Sequence, residues 1–274
     1  MISVCIPSYN SEKYIFSTIE SVLVQTHQEF ELILVDDCST DNTFEIARSF
    51  NDSRVRVLRN DANLGAQDNW NMCLSLAKGE YVKILPGDDT LYPECLAKQA
   101  AILNDPKNQH VSFVYCSRDV IDAHGRYVMR ARFPGLGRIS RSTMIRKNIR
   151  HGMNVIGEPG AVLFRMSASK KVGGFDARLP YLIDLNYWVR LLDHGDAYAQ
   201  HEALCTFRLS GTNWSVALGR MRKENYLTFI TMMSKNPANE LSKFDVPLGK
   251  SRAYLNEILR SIVYLFLRIR NARK

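Results

Sequence analysis

Two kinds of hydrophobic periodicity alternate along the first 90 residues of the chain. Four short apolar runs that end at turn-forming residues predict buried strands, at residues 2–7, 30–35, 54–58 and 80–85. Between these runs, apolar residues at helical spacing predict helices over 11–25, from Phe44 to Phe50 and over 66–78. Such alternation is typical of an α/β fold with a mostly parallel central sheet and helices on both faces.

The pattern is less regular after residue 100. Apolar runs predict strands at 111–116 and 161–164, and helical spacing predicts a helix over 181–193. Residues 126–150 carry eight basic side chains and no acidic one, which favours a mobile basic loop followed by a short helix. Residues 251–270 predict a C-terminal amphipathic helix, because their apolar positions fall along one side.

Composition excludes a disordered or fibrous chain, since 46% of the 274 residues are hydrophobic and 23% are charged. The net charge of +8 is unevenly placed: residues 1–100 carry a net −7 and residues 101–274 a net +15. The acidic half suits a metal or a polar ligand. The basic half suits an anionic partner such as phosphate, nucleic acid or a membrane surface.

The cysteines and the hydropathy indicate a cytoplasmic protein. None of the six cysteines forms a Cys-x-x-Cys pair, and most lie in apolar runs, which predicts reduced, buried thiols. The sequence starts without a recognisable signal peptide. Its most membrane-like stretch, 258–269, is interrupted by two arginines and is shorter than the roughly 20 residues that span a bilayer.

Two of the predicted strands end in paired aspartates, Asp36-Asp37 and Asp88-Asp89. Ligands of such sheets bind beyond the carboxyl ends of the strands, so these pairs mark a candidate site. The second pair can hold a hard divalent cation, and the first can accept hydrogen bonds from a nucleobase or a ribose. Turn formation and helix capping are the alternative explanations for both pairs.

A third carboxylate, Asp184, stands among the apolar and aromatic residues of 181–188. Isolation of this kind should raise the proton affinity of the carboxylate, which suits a general base. The alternative is a helix cap or an ion pair with Arg190 or Arg178, and spacing alone favours that structural role.

Several short segments, taken in their order along the chain, resemble the family-two glycosyltransferases. These are inverting enzymes with the GT-A fold, and the likeness is to the type that builds bacterial surface polysaccharides. The resemblance covers residues 2 to about 215. The segments that carry it are 3–10 (SVCIPSYN), 34–43 (LVDDCSTDNT), 63–71, 79–81, 87–89 (GDD) with Pro93, 173–176 (GGFD), and Asp184 with Arg190.

The resemblance implies a role for each matching residue. Pro7, Tyr9 and Asp37 match positions that hold the nucleoside of a nucleotide-sugar donor, with Asp37 at the base. Asp88 matches the last aspartate of the family's Asp-x-Asp motif, which ligates Mn²⁺ or Mg²⁺ on the donor diphosphate, and Asp89 is a second candidate ligand. Asp184 matches the general base that deprotonates the acceptor hydroxyl.

Three residues depart from the family's pattern. Pro86 occupies the first position of the Asp-x-Asp motif, so metal binding would depend on Asp88 together with Asp89. Ile183 replaces the acidic residue that often precedes the base, and Ser210 stands where many members have a histidine.

The resemblance also organises the chain. It implies a GT-A domain over 1–215, with a donor-binding half (1–100) and an acceptor-binding half (101–215). A basic, helical C-terminal extension follows over 216–274. The extension's amphipathic helix can lie on an anionic membrane surface or pack against the catalytic domain. Membrane association is favoured, because bacterial members often extend lipid-linked glycans at the inner face of the cell membrane.

The predicted function is transfer of a sugar from a nucleotide-sugar donor, with UDP favoured, to a glycan or lipid-linked acceptor. A nucleotidyltransferase would need a glycine-rich phosphate loop after the first strand, and residues 7–10 (PSYN) provide none. Nucleic-acid binding is disfavoured, because the basic segments lack interleaved aromatic residues. The remaining alternative is a non-catalytic carbohydrate-binding or scaffold protein on the same fold.

Overall fold

A computed structural model of the chain describes residues 1–132, 135–210 and 218–272. Within these residues, nine strands join into one sheet. The strands are β1 (Ile2–Ser8), β2 (Phe30–Asp36), β3 (Val55–Arg59), β4 (Tyr81–Ile84), β5 (Val111–Asp122), β6 (Tyr127–Ala131), β7 (Gly137–Ile139), β8 (Val162–Arg165) and β9 (Asp196–Leu209). The helices are α1 (Ile15–Leu23), α2 (Thr43–Arg48), α3 (Gly65–Leu76), α4 (Cys95–Asn104), α5 (Arg141–His151), α6 (Met166–Val172), α7 (Ile183–Leu191), α8 (Arg222–Ser234) and α9 (Asp245–Ala272).

The strand order is β3-β2-β1-β4-β8-β5-β9-β7, with β6 beside β5. The first four strands in this order are parallel, as the strand–helix alternation predicts. β8 lies antiparallel between β4 and β5, and β5 and β9 are again parallel over most of their length. The predicted α/β fold with a central sheet is thus confirmed, and its second half mixes both pairings.

Hydrophobic cores fill both faces of the sheet, because side chains of successive strand residues point to opposite faces. In β1, Cys5 belongs to one core and Ile6 to the other. The first core contains a cluster of buried aromatic rings in which Phe175 stacks on Tyr187 at a centroid distance of 3.9 Å. Trp188 packs against the same two rings. This cluster fixes α7, the helix that carries Asp184, against the sheet.

The basic segment 126–150 is not the loop that its composition predicts. It contains β6 and β7 and ends in α5, while residues 133–134 lie outside the described part of the chain. The reason is that carboxylates from distant segments pair with its cations. Arg130 on β6 binds Asp119 on β5 at 2.7 Å, and Arg138 on β7 binds Asp196 on β9 at 2.5 Å.

The C-terminal helix begins at Asp245, six residues before the predicted start, and packs by its first half on the rest of the protein. At Gly249 a β-carbon would lie 2.4 Å from the backbone oxygen of Ile149, so α9 and α5 approach each other too closely for a larger residue there. Asn256 donates hydrogen bonds to the last carbonyls of α5, and Glu257 pairs with Arg222 of α8 at 2.9 Å. The predicted domain boundary at residue 215 lies outside the described residues.

The cysteines are free in the structure, and five of the six are buried, as their apolar surroundings predict. Burial raises the pKa of the Cys5, Cys73, Cys95 and Cys116 thiols. Across the described ranges, none of the helices combines the length and the hydrophobicity that crossing a bilayer requires.

One buried cation, Lys83 of β4, connects the two halves of the sheet. Its side chain is fully buried, and its Nζ donates to the carbonyl oxygens of Gly160 at 2.8 Å and Val162 at 3.1 Å. These carbonyls belong to the turn before β8 and to the first residue of β8, where they need a donor because water is excluded. Lys83 therefore holds this turn in place.

Replacing Lys83 with methionine is expected to lower the free energy of unfolding by roughly 1–3 kcal/mol, because two buried carbonyls lose their charged donor. Urea denaturation measures the change. The control is Lys170→Met on the exposed side of α6, which should stay within about 0.5 kcal/mol of the parent protein. Equal stability of the two variants would contradict a structural role for the buried ammonium group.

Candidate active site

The carboxyl ends of β1 and β2 bring three predicted donor-binding residues together. Pro7 is buried in β1 opposite Val35 of β2, and the backbone N–H of Asp37 donates to the carbonyl oxygen of Ser8 at 2.8 Å. Tyr9 follows directly, with 49% of its surface exposed. The three residues therefore line one edge of the sheet, where parallel strands place ligands.

The carboxylate of Asp37 is buried and shapes the neighbouring loop. It accepts hydrogen bonds from the backbone N–H groups of Leu64 and Gly65, each at 2.9 Å, and from the Asn60 side chain at 2.8 Å. Gly65 begins α3 and has a φ of +80°, a conformation that favours glycine. Asp37 thus ties the start of α3 to the end of β2.

Its neighbour Asp36 is bound within the following turn and also lies near a cation of β3. It accepts from the backbone N–H and the hydroxyl of Ser39 and lies 3.4 Å from Arg59. Turn formation, the alternative explanation for this pair, therefore holds for Asp36.

The turn that carries Asp88 and Asp89 is docked onto β9. Asp89 is 1% exposed, and its Oδ1 accepts the backbone N–H of Arg208 at 2.8 Å. The Arg208 side chain returns a bond to the carbonyl oxygen of Asp88 at 2.8 Å and lies over the Tyr14 ring. Helix capping, the alternative for this pair, is wrong, because the next helix starts six residues later and is preceded by Glu94.

Burial makes this carboxylate pair reluctant to ionise. It raises the pKa of Asp88 to about 6, although the nearby Arg208 guanidinium acts in the opposite direction. Burial and the charge of Asp88 raise the pKa of Asp89 well above its ordinary value. A cation at this turn would favour both ionised forms.

The donor set at this turn fits a divalent cation only in part. Carboxylate oxygens are the ligands that Mn²⁺ and Mg²⁺ take, and Asp88 is partly exposed at the sheet edge. Asp89 points inward to β9. Among the described residues, no group of three His, Cys, Asp or Glu side chains is placed to hold a metal by itself, so further ligand oxygens would have to come from the substrate.

Asp184 lies in the first turn of α7 and is half-buried. Its Oδ2 accepts from the Asn154 side chain at 2.9 Å, and its Oδ1 accepts the Leu185 backbone N–H at 2.7 Å. Burial raises the pKa of Asp184 to about 7, and the charge of Glu158 acts in the same direction. A carboxylate with this pKa can accept and release a proton near neutral pH.

The ion pairs offered as alternatives for Asp184 do not form. Arg190 donates to the carbonyl oxygens of Val172 and Gly174, and Arg178 pairs with Asp176 at 2.6 Å. Both arginines thus stabilise the loop before α7.

Sequence reasoning missed an ion pair between Glu158 and Arg118 that lies between the two carboxylate groups. Arg118, on β5, is 8% exposed and donates to Glu158 Oε1 at 2.7 Å. The charge of Glu158 acts on Asp89 on one side and on Asp184 on the other. The sequence offers one sign of this pair: Arg118 stands two residues after the apolar run 111–116, and a basic residue in a buried strand needs an acidic partner.

Asn154 was missed as well, and it links Glu158 to the candidate base. Its Oδ1 accepts the backbone N–H groups of Ile156 and Gly157, both at 3.0 Å, while its Nδ2 binds Asp184. The Trp188 indole also donates to the carbonyl oxygen of Gly157, at 3.3 Å. One asparagine therefore sets both the loop before Glu158 and the orientation of Asp184.

The structure shows where the three residues that depart from the family's pattern lie. Pro86 precedes the turn and accepts the Asp89 backbone N–H at 3.1 Å through its carbonyl. Ile183 is buried in the hydrophobic core beside Asp184, and Ser210 is 5% exposed just after β9. The site therefore has carboxylates at the sheet edge and at α7, without an acidic residue before the latter.

Two curated relatives illustrate the similarity of the sequence. The chain is 31% identical over 217 residues to an uncharacterized glycosyltransferase of Rickettsia typhi, covering 76% of this chain and 64% of that protein. It is 34% identical over 122 residues to the Escherichia coli UDP-Glc:α-D-GlcNAc-diphosphoundecaprenol β-1,3-glucosyltransferase WfgD, covering 44% of this chain and 47% of that enzyme. The chain thus spans less than two thirds of the length of either relative.

Two solved structures share the fold. S. aureus TarS 1–349 in complex with UDP-GlcNAc superposes with a TM-score of 0.67 at 21% identity, over 93% of this chain and 72% of that one. The mannosyltransferase PcManGT from Pyrobaculum calidifontis, in complex with GDP-Man and Mn²⁺, gives a TM-score of 0.63 at 17% identity, over 93% of this chain and 69% of that one. Both likenesses concern the fold.

The model of the family "Glycosyl transferase family 2" matches residues 3–173. That span is more than half of the chain and contains the two aspartate pairs, the Arg118–Glu158 ion pair and Asn154. Together with the fold that it shares with TarS, this match confirms the predicted resemblance. The chain belongs to glycosyltransferase family 2.

Proposed function

We propose that this protein transfers a sugar from a nucleotide-sugar donor, with UDP favoured, to a hydroxyl of a glycan or lipid-linked acceptor, with inversion at the anomeric carbon. The observation that carries the proposal is the environment of Asp184. A carboxylate with a pKa of about 7, oriented by Asn154, is suited to take a proton from a hydroxyl near neutral pH.

The edge formed by Pro7, Tyr9 and Asp37 is the proposed nucleoside site. Tyr9 offers an exposed ring on which a base can stack. Asp37 is held rigidly by three hydrogen bonds to the loop before α3, so its oxygens are preorganised as acceptors for the base. The names of WfgD and of the TarS complex, which refer to UDP-Glc and UDP-GlcNAc, support a UDP-sugar.

Asp88 is the proposed protein ligand of Mn²⁺ or Mg²⁺, and the metal role of Asp89 stays a prediction. When bound, such a cation neutralises charge on the leaving diphosphate. Asp88 is suited to this role because it is a partly exposed carboxylate at the sheet edge. The Asp89–Arg208 hydrogen bond holds the turn in a fixed position, so Asp88 needs little reorganisation to bind.

The proposed chemical step uses the residues on both sides of the Glu158–Arg118 pair. Asp184 accepts the proton of the acceptor hydroxyl while the hydroxyl oxygen forms a bond to the anomeric carbon. The bond from that carbon to the diphosphate oxygen breaks on the opposite side, and its electron pair leaves with the nucleoside diphosphate. The proton remains on Asp184 until solvent removes it.

The proposed setting is polysaccharide synthesis at the inner, cytoplasmic face of the cell membrane. The support is the name of WfgD, a relative that acts on a diphosphoundecaprenol-linked sugar. The basic half of the chain is consistent with an acceptor that carries phosphate.

A donor assay tests the transferase proposal. With Mn²⁺ or Mg²⁺ and a bacterial lipid extract, we expect release of UDP from one of a panel of UDP-sugars, and loss of release in EDTA. Asp88→Asn and Asp184→Asn should each lower the rate by at least about 100-fold, because each removes a group that acts on the reacting atoms.

Asp105→Asn is the matched control, since Asp105 is an exposed carboxylate that follows α4 and caps the next short turn. Release that both site variants retain would contradict the assigned roles. If no nucleotide sugar is cleaved and calorimetry detects no donor binding, the non-catalytic alternative replaces the enzyme.

The pH dependence gives a second test, because only the ionised form of Asp184 can accept the proton. The rate kcat/KM should rise with pH through an apparent pKa of about 7. Glu158→Gln removes a negative charge that raises the pKa of Asp184. It leaves the Arg118 cation, which lowers that pKa, so the pKa of Asp184 should fall in the variant. The acidic limb of the profile should therefore move to lower pH.

Glu45→Gln, the same substitution at an exposed position on α2, should leave the limb in place. A Glu158→Gln profile that superposes on that of the parent enzyme would show that Asp184 is not the titrating group.

A further inference from the structure

A cationic cleft lies between α5 and α9, on elements separate from the candidate active site. Its volume is about 360 Å³. The residues that line it are Thr143, Arg146, Lys147, Arg150, His151 and Arg252. Four of these six side chains carry a full positive charge, which makes the cleft suitable for an anion of phosphate size.

The cations of the cleft outnumber the acidic side chain of Asp245 that lies beside them. Asp245 lies 3.6 Å from Arg146 and 3.4 Å from Arg150, distances that are longer than close charged hydrogen bonds. Arg252 donates to the backbone oxygen of Arg150 at 3.1 Å, which orients its guanidinium without neutralising it. Four cationic side chains therefore face the one Asp245 carboxylate.

A row of exposed apolar side chains continues from the cleft along α9. The row consists of Leu255, Ile258, Leu259 and Ile262, each of which is 50–60% exposed. Their spacing of three and four residues places them on the side of the helix away from Ala253 and Asn256, which contact α5. Arg252 lies one turn before Leu255 and Asn256, so the cleft borders the N-terminal end of the row.

We propose that this face of α5 and α9 docks onto an anionic phospholipid bilayer. The cleft holds a headgroup phosphate, and the apolar row enters the interfacial layer of the membrane. A phospholipid combines a phosphate with an adjoining apolar region. On this face of the protein, the cationic cleft likewise adjoins the apolar row.

Charge complementarity favours this occupant over the others. A free phosphate would fill the cleft but leave the apolar row in water. A second copy of the chain would bring together two segments, residues 243–274, that each carry a net +6. An anionic bilayer satisfies the cations and the apolar row at once. The proposal uses no residue of the candidate active site. It deepens the proposed setting at the cell membrane, and vesicle binding tests it separately from sugar transfer.

Co-sedimentation with vesicles is the test. We expect the full chain to bind vesicles of phosphatidylcholine with phosphatidylglycerol, to bind vesicles of phosphatidylcholine weakly, and to lose binding as salt is raised. The double variant Lys147→Glu/Arg252→Glu should bind anionic vesicles at least about tenfold more weakly. Leu255→Ser/Leu259→Ser should also bind more weakly, because it removes apolar area from the interface.

The matched control is Lys170→Glu/Lys171→Glu, which makes the same change in net charge on exposed residues of α6. It should retain most of the binding, and thermal melting confirms that every variant is folded. If this control loses as much binding as the cleft variant, the effect is one of net charge alone, and the proposed docking site is overturned.

Three other results would also overturn the proposal. The first is equal binding to neutral and anionic vesicles. The second is calorimetric binding of inorganic pyrophosphate in the cleft without any vesicle binding, which would assign the cleft to a soluble phosphate. The third is a dimer in light scattering that Leu255→Ser/Leu259→Ser converts to a monomer, which would assign the apolar row to a second copy.

Discussion

The buried hydrogen bond from the Arg208 backbone to the Asp89 carboxylate is the contact on which the site depends. Neighbouring contacts reinforce it: Thr90 and Thr206 bond through both backbone and side chain, and Leu91 forms a β-bridge with Cys205. The segment after β4 is therefore fastened to β9 by one β-bridge and several hydrogen bonds. A buried carboxylate without a donor is costly, so the turn cannot leave β9 without a large loss of stability. This constraint fixes Asp88 relative to the second half of the sheet.

The parts of the fold that the sequence predicts are those in which local pattern and final contacts agree. β1, β2 and β4 are short apolar runs that lie inside the sheet with a strand on each side, so their apolar residues are buried as the runs require. β9 was missed because its 14 residues include charged and polar side chains, and its pairing with β5 joins segments some 85 residues apart. Residues 126–150 were misjudged for a related reason, since the carboxylates that neutralise their arginines stand on other strands.

The site was predictable to the same extent. Asp37, Asp88 and Asp89 follow strand ends, a position that pattern alone identifies, and Asp184 required the resemblance to a family because its surroundings are assembled from distant segments. Asn154, Glu158 and Arg118 could not be found in this way. Their part in the site follows from contacts between distant segments, Arg118 with Glu158 and Asn154 with Asp184. Lys83 is the sharpest example. In the run EYVKIL it fits an alternating strand with one exposed polar residue, yet its ammonium group is buried, where it donates to the carbonyl oxygens of Gly160 and Val162.

Electrostatics explains why these residues are arranged as they are. Partial or complete removal from water raises the pKa of Asp88 and Asp89 on one side and of Asp184 on the other, and the charge of Glu158 adds to this effect at Asp89 and Asp184. Arg208 and Arg118 offset part of this repulsion. Each is held by its own hydrogen bond, Arg208 to the carbonyl oxygen of Asp88 and Arg118 to the Glu158 carboxylate. A cation at the sheet edge would relieve the repulsion around Asp88, but it would leave Asp184 on α7 with its raised pKa. The same fold can therefore favour an ionised carboxylate at one end of the site and a carboxylate that exchanges its proton near neutral pH at the other.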